Sequence, residues 1–168
     1  MKLSLCNEVI RDLPFERQCA LAAGLGYRGL ELAPFTFGDD AWRMPAARRA
    51  EIRRTCGDAG LQVSGLHWLL AAPAGLSITT ADGAVWQKSV DVLRASVDLC
   101  AELGGVYLVH GSPAQRRVSS ADDRSRAEEA WLLAAEQAAA ACVAYCIEPL
   151  AAPDCNFVNT LAEAAEIV

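Results

Sequence analysis

The stretch Val143-Ala144-Tyr145-Cys146-Ile147-Glu148-Pro149 is an apolar run that stops at a carboxylate and a proline. Short apolar runs are typical of strands buried on both faces, and the residue before a proline is a natural boundary. If this run is a strand of a parallel sheet, its carboxyl end opens where α/β proteins bind ligands. The pattern therefore predicts chemistry at Glu148, and a purely structural role as a cap or ion-pair partner fits this residue alone equally well.

Four further apolar runs come before this one and alternate with segments of helical periodicity. The predicted strands are Leu3–Cys6, Gly29–Leu32, Leu61–Leu66, Val106–His110 and Val143–Ile147, and the predicted helices are Phe15–Ala23, Ala46–Ala59, Val85–Leu103 and Ser125–Ala141. Repeated βα units imply parallel strands joined by right-handed crossovers. We expect an α/β fold with strand order 1-2-3-4-5, curved as part of a barrel, and the alternative is an open flavodoxin-type sheet.

A glycine-rich segment, Gly24-Leu25-Gly26-Tyr27-Arg28-Gly29, matches the dinucleotide-binding pattern G-x-G-x-x-G. That motif needs a strand before it and a helix after it, because the pyrophosphate lies at the helix N-terminus. Here the predicted helix precedes the glycines and the predicted strand follows them. We interpret them as a helix C-cap at Gly24 or Gly26 followed by a tight turn, and we expect Gly60 and either Gly104 or Gly105 to cap the next two helices in the same way.

Composition narrows the class of protein. The 168 residues are 53% hydrophobic and carry a net charge of −6, which disfavours a nucleic-acid partner. No apolar stretch approaches the roughly 18 residues of a membrane span, and charge comes too early for a signal peptide, so we expect a cytoplasmic protein with no membrane partner. The seven scattered cysteines favour reduced thiols over disulfides. Whether the chain forms a homo-oligomer stays open.

Chain length bears on completeness. A closed eight-stranded barrel typically needs about 250 residues, and the last segment, residues 160–168, begins a helix without a cap at its end. We therefore expect residues 1–168 to be a single barrel domain that is truncated at its C-terminus and inactive alone.

Both histidines of the chain end predicted strands, as Glu148 does. His67 follows the third apolar run and His110 closes the fourth. Imidazole and carboxylate together suit a divalent metal or a proton transfer next to a carbonyl. Three such strand ends predict one shared site, although a single strand-end histidine is more often a hydrogen-bonded core residue.

The surrounding segments read His67-Trp68-Leu69-Leu70, His110-Gly111-Ser112-Pro113-Ala114-Gln115-Arg116 and Ile147-Glu148-Pro149-Leu150. With these motifs the chain, from Lys2 to Val168, resembles the sugar phosphate isomerase/epimerase family of the xylose-isomerase-like TIM barrels. The resemblance implies a (β/α) TIM barrel, of which this chain covers about the first five βα units. It also implies a divalent metal (Mn, Mg, Co or Zn) and a proton transfer next to the carbonyl of a small sugar or sugar phosphate.

The resemblance also implies roles for individual residues. Glu148 matches a glutamate that binds the metal and serves as acid or base. His67 and His110 match positions that bind metal in some members and face the substrate in sugar epimerases. Asp154 lies at the position where many relatives have a substrate-binding glutamate. The remaining family ligands, an aspartate, a histidine and a glutamate, are expected beyond Val168.

Further side chains are candidates for the barrel mouth, which is the opening at the carboxyl ends of the strands. We expect Trp68 to stack on the sugar, Arg116 to hold a phosphate or carboxylate, and Cys6 to line the mouth at the end of the first strand. Loop packing for Trp68 and surface charge for Arg116 are the structural alternatives. Glu31 is a further candidate for the mouth, and a structural pair with a nearby arginine is favoured over that role.

Two other functions stay open. An abasic-site endonuclease of the same superfamily uses a similar set of two histidines and a glutamate, but the acidic balance and the presence of only two lysines, Lys2 and Lys88, disfavour it. A non-catalytic binding domain on the same barrel would need no complete metal site.

Overall fold

The computed structural model describes residues 2–168, and its five strands form one parallel sheet. The strands are β1 (Ser4–Cys6), β2 (Gly29–Leu32), β3 (Gln62–His67), β4 (Tyr107–His110) and β5 (Ala144–Ile147). Every neighbouring pair is parallel, and the order across the sheet is β1-β2-β3-β4-β5. This confirms the sequential order predicted from the βα repeats, and the order of a flavodoxin-type sheet is not observed.

Helices connect the strands and form one layer. They are α1 (Phe15–Gly24), α2 (Ala46–Asp58), α3 (Gly83–Leu103), α4 (Ala121–Ala140) and, after β5, α5 (Leu161–Ala165), with short 3-10 helices at Asn7–Ile10, Pro34–Phe37 and Ala41–Arg43. Helices α1 to α4 each contact the next one along the chain, as expected when they cover one side of the sheet. None of the described helices is both long enough and apolar enough to cross a membrane.

Capping residues explain where the helices begin and end. The Asp82 carboxylate accepts hydrogen bonds from two backbone N–H groups, so α3 begins two residues earlier than its apolar periodicity predicts. The Ser120 hydroxyl caps α4 in the same way, and that helix begins four residues earlier than predicted. At the other ends, Gly26, Gly60 and Gly104 have φ values of +86°, +73° and +83° after α1, α2 and α3. The predicted glycine caps are confirmed.

The two faces of the sheet differ in character. Leu30, Leu32 and Leu108 are fully buried on the side that packs against the helices. Because side chains alternate along a strand, the residues between them point the other way, toward what we call the inner face. Glu31 and Tyr107 lie there, and both are only partly buried. The inner face therefore collects polar side chains, and those nearest the carboxyl ends of the strands define the candidate site.

Candidate active site

Three side chains form a continuous polar chain on the inner face. His67 Nδ1 lies 3.0 Å from Glu31 Oε2, and His67 Nε2 lies 3.1 Å from Glu148 Oε2. Both distances are those of hydrogen bonds. One imidazole ring at the end of β3 thus bridges a carboxylate on β2 and another just after β5. The predicted meeting of His67 and Glu148 is present, and the expected arginine partner for Glu31 is wrong because the Glu31 carboxylate bonds to His67.

The contact between His67 and Glu148 passes over β4 and depends on Gly111. A Cβ atom at Gly111 would overlap Glu148 Oε2 and would lie 2.7 Å from His67 Nε2. The chain after β4 has no side chain at this point, so groups from β3 and from the end of β5 can meet across it. Sequence analysis missed this role. The available signal was the alternation of a strand, which points Gly111 and His110 in opposite directions.

The electrostatics of the cluster favour a charged ring. Burial lowers the pKa of His67, but the side chains of Cys6, Glu31 and Glu148 outweigh burial and raise the pKa to about 10. Burial likewise raises the pKa of Glu31, and the hydrogen bond from His67 reverses this and leaves it below its usual value. In this arrangement His67 is an imidazolium between two carboxylates at neutral pH.

Cys6 lies on the Nδ1 side of the His67 ring. The ligand atoms of Cys6, Glu31 and His67 are all within 4.8 Å of one another, and within residues 2–168 this is the one group of three such side chains with that spacing. The thiol is partly buried at the end of β1. Sequence analysis placed Cys6 at the mouth but did not connect it with Glu31.

His110 lies on the opposite face of the sheet. Its ring is fully buried, and Nδ1 is 2.8 Å from the Tyr145 hydroxyl and 2.9 Å from the Trp131 indole nitrogen of α4. Burial lowers the pKa of His110 to about 3, so the ring is neutral. The expectation that His110 shares the site with His67 and Glu148 is wrong, because strand alternation turns this side chain toward the helices.

Arg116 is also buried, and it contacts backbone atoms. Its guanidinium donates a hydrogen bond from Nη2 to the carbonyl oxygen of Glu148. Its Nη1 atom donates to the carbonyl oxygen of His110 at a distance of 3.5 Å. These bonds join the ends of β4 and β5 and hold the backbone that carries Glu148. The expectation that Arg116 holds a substrate anion does not fit this structure, because the side chain has no exposed surface.

Trp68 lies beside the site and Asp154 lies in an exposed loop. The Trp68 ring is stacked on His67, with centroids 5.9 Å apart, and meets Phe35 edge-on at 6.4 Å. Its φ of +58° turns the chain sharply after β3. A sugar-stacking role for Trp68 stays a prediction. Asp154 is exposed after β5, where its backbone carbonyl accepts from Arg117 Nη2 at 2.6 Å, and its contact with substrate also stays a prediction.

The donor set fits a divalent cation. Glu148 offers a carboxylate oxygen, which is a ligand that Mg²⁺, Mn²⁺, Co²⁺ and Zn²⁺ accept. The Glu148 side chain is 38% exposed, so a cation can reach it. The absent side chain at Gly111 lets this carboxylate and the His67 ring meet at one place.

Comparison with known proteins agrees with this fold. Residues 19–168 match the family model described as Xylose isomerase-like TIM barrel. A probable ketose 3-epimerase of Synechocystis sp. is 27% identical in an alignment 113 residues long that covers 61% of this chain and 38% of that protein.

Solved structures give the same result at lower identity. The structure of an L-ribulose 3-epimerase superposes with a TM-score of 0.81 at 24% identity, covering 100% of this chain and 56% of that one. A D-psicose 3-epimerase with D-tagatose from Clostridium cellulolyticum H10 gives a TM-score of 0.81 at 14% identity, covering 99% and 58%. At these identities the likeness shows the fold alone. The chain spans little more than half the length of these structures and 38% of the curated relative.

Proposed function

Since this chain belongs to the xylose isomerase-like TIM barrel family, we propose that it is part of a sugar isomerase or epimerase. The reaction is the transfer of a proton next to the carbonyl of a small sugar or sugar phosphate, and we place it in the cytoplasm. Similarity to proteins named as ketose, L-ribulose and D-psicose 3-epimerases supports this reaction. Within the enzyme, residues 1–168 contribute one domain with five consecutive βα units.

We also propose a divalent metal, Mn²⁺, Mg²⁺, Co²⁺ or Zn²⁺, with Glu148 as a ligand. When bound, such a cation polarises the sugar carbonyl and makes the adjacent C–H bond more acidic. The proposal is supported by the partly exposed carboxylate of Glu148 at the end of β5.

Glu148 is the proposed acid or base. A general base must lie within hydrogen-bond reach of the proton that it removes, and the end of β5 places this carboxylate at the open end of the inner face. His67 engages Oε2 of Glu148, so Oε1 is the oxygen that we propose as the proton acceptor. Glu31 in turn engages Nδ1 of His67 and fixes the orientation of the ring.

His67 and Trp68 are the proposed substrate contacts beside the base. The ring edge of His67 that meets Glu148 lies beside the proposed base, so its N–H group can donate to a sugar hydroxyl or to the carboxylate. The stacked indole of Trp68 adds an apolar wall against which a sugar face can pack. One observation carries the proposal: a carboxylate and an imidazole from two different strands meet across a glycine at the strand ends.

The test is exchange of the substrate's α-hydrogen with deuterium from heavy water, in the complete protein that the gene encodes. Ketoses such as D-fructose and D-tagatose are the probes. Glu148→Gln keeps the size of the side chain but removes the base, and exchange should fall by about 10²-fold or more.

The matched control is Glu136→Gln, which removes an exposed carboxylate on α4. This variant should exchange as fast as the wild type. If Glu148→Gln also exchanges at the wild-type rate with metal present, Glu148 is not the base. If the wild-type protein exchanges none of a broad panel of ketoses and ketose phosphates, the isomerase proposal fails.

A further inference from the structure

We propose that Cys6, Glu31 and the Nδ1 atom of His67 form a second metal site, suited to a thiophilic divalent cation such as Zn²⁺. This site lies on the side of the His67 ring that faces away from Glu148. Its existence is independent of the function proposed above, and only its effect on turnover rests on that function.

The geometry comes from three neighbouring strands. Cys6 and Glu31 are paired residues of β1 and β2, and His67 ends β3, two residues beyond the partner of Glu31. Adjacent strands run about 4.8 Å apart, so their side chains on one face converge. The three ligand atoms already lie within 4.8 Å of one another, and tetrahedral Zn²⁺ needs them only about 1 Å closer, which side-chain rotation supplies.

The chemistry of the donors selects the ion. Thiolate and imidazole are preferred by Zn²⁺ and Co²⁺, whereas Mg²⁺ and Mn²⁺ prefer oxygen. Three protein ligands leave a fourth position open for water. On binding, the Cys6 thiol and the Nδ1 atom of His67 each lose a proton to solvent, so the cation replaces the protons that now join the three groups.

Occupancy of this site controls the other side of the ring. A neutral imidazole has one lone pair, so a cation at Nδ1 leaves the proton on Nε2. That N–H group then donates to Glu148 Oε2, 3.1 Å away. The carboxylate is held as a hydrogen-bond acceptor, and Nε2 is not a ligand for a cation at Glu148. We therefore expect Zn²⁺ at the second site to slow the proposed sugar reaction.

Cobalt is the direct probe, because a Co²⁺–thiolate bond absorbs in the near ultraviolet. Chelator-treated wild-type protein titrated with Co²⁺ should develop this band at one equivalent, and Zn²⁺ should remove it. Cys6→Ser should abolish the band. Glu31→Gln should weaken Co²⁺ binding by at least about tenfold, the loss typical of even a supporting residue at a metal site.

Two matched controls separate this site from other donors. Cys146→Ser removes an exposed cysteine of β5, and Glu148→Gln removes the carboxylate at the other nitrogen of His67. Both should keep the cobalt band. Circular dichroism establishes that each variant is folded, and Cys6→Ala replaces Cys6→Ser if the latter is not. A band that persists without Cys6, that disappears with Cys146→Ser, or that never forms in the wild type overturns the site.

The effect on turnover has its own readout. The ratio of α-hydrogen exchange with and without stoichiometric Zn²⁺ should be at least about tenfold lower in the wild type than in Cys6→Ala. Equal ratios would contradict the proposed effect of Zn²⁺ on turnover, and the cobalt titration would still decide whether the metal site exists. Absence of exchange in every protein would count against the proposed function and not against the metal site.

Discussion

The two histidines of this chain hold the same position in their strands and have opposite environments. His67 ends β3 on the inner face, where carboxylates on both sides hold its pKa at about 10. His110 ends β4 on the helix side, where burial beneath Trp131 lowers its pKa to about 3. A strand end alone therefore does not make a catalytic residue. The face that the last residue occupies decides between a charged site residue and a neutral core residue.

Gly111 turns this difference into a site. On β3 the last residue points inward and supplies an imidazole, whereas on β4 the last residue points outward and the next one supplies empty space. Side chains of β3 and of the end of β5 fill that space. A shift of β4 by one residue would turn the His110 side chain to the inner face and Gly111 to the helix side, which would close the site.

The largest effect is expected from Gly111→Ala. The added Cβ would overlap Glu148 Oε2 and force it away from His67. A displacement of about 1 Å at reacting groups can lower turnover by about 10²-fold, and we expect a loss of that size in α-hydrogen exchange. Gly57→Ala, on α2 where a Cβ meets nothing within 4 Å, is the control and should retain full exchange. Wild-type exchange in Gly111→Ala would show that the His67–Glu148 contact is dispensable.

The next effect concerns the free energy of unfolding. His110→Ala should lower it by about 2–4 kcal/mol, because the change opens a cavity and leaves the buried Trp131 N–H without its acceptor. At pH 10, where little of the contribution of its charge is left, His67→Ala should lower it by about 1 kcal/mol or less, because water can replace the lost hydrogen bonds at a side chain that is 19% exposed. Urea denaturation of both variants measures the difference. Equal losses would contradict the assignment of His110 to the core.

The two histidines should also make the free energy of unfolding change with pH in opposite directions. Below about pH 6.5 the unfolded chain protonates His110 and the folded protein does not until about pH 3, so His110 makes stability rise with pH in that window. Between pH 8 and pH 5 this contribution is about 2 kcal/mol. His110→Gln should remove it. A pH profile that His110→Gln leaves unchanged would mean that the ring is already accessible to protons.

His67 changes the stability with pH in the opposite direction. Its pKa is raised on folding, so its stabilisation is complete below about pH 6.5 and is lost as the pH rises toward 10. His67→Gln should therefore destabilise chelator-treated protein most near pH 6 and least near pH 10. Thermal melts of both proteins at the two pH values test this. A destabilisation by His67→Gln that grows with pH would contradict the raised pKa of His67.

Much of the fold follows from local patterns. Apolar runs such as 143–147 alternate with helical segments, and glycines such as Gly60 end the helices, so strand number, direction and order could be predicted. Helix starts were less accurate because the caps at Asp82 and Ser120 extend α3 and α4 beyond their apolar stripes. Those caps are polar signals that periodicity does not register.

The site was predictable only in part. Glu148 and His67 follow from their positions at strand ends, and the structure brings them together. The orientation of His110 depends on the exact register of its strand. Because side chains alternate between the two faces, an error of one residue in that register places His110 on the wrong face. The burial of Arg116 and the partner of Glu31 depend on contacts between distant segments. No local pattern encodes such contacts.

The most direct test of the central claim is a ¹H–¹⁵N correlation spectrum of the histidine rings in untagged, chelator-treated protein, recorded from pH 5 to pH 8. The chain has two histidines, so the spectrum contains one ring of each kind. We predict that neither ring titrates in this range: His67 stays an imidazolium with both nitrogens protonated, and His110 stays neutral with its proton on Nε2. A ring that titrates near pH 6.5, or two rings with the same protonation state, would contradict the division of the sheet into a charged site face and a neutral core face.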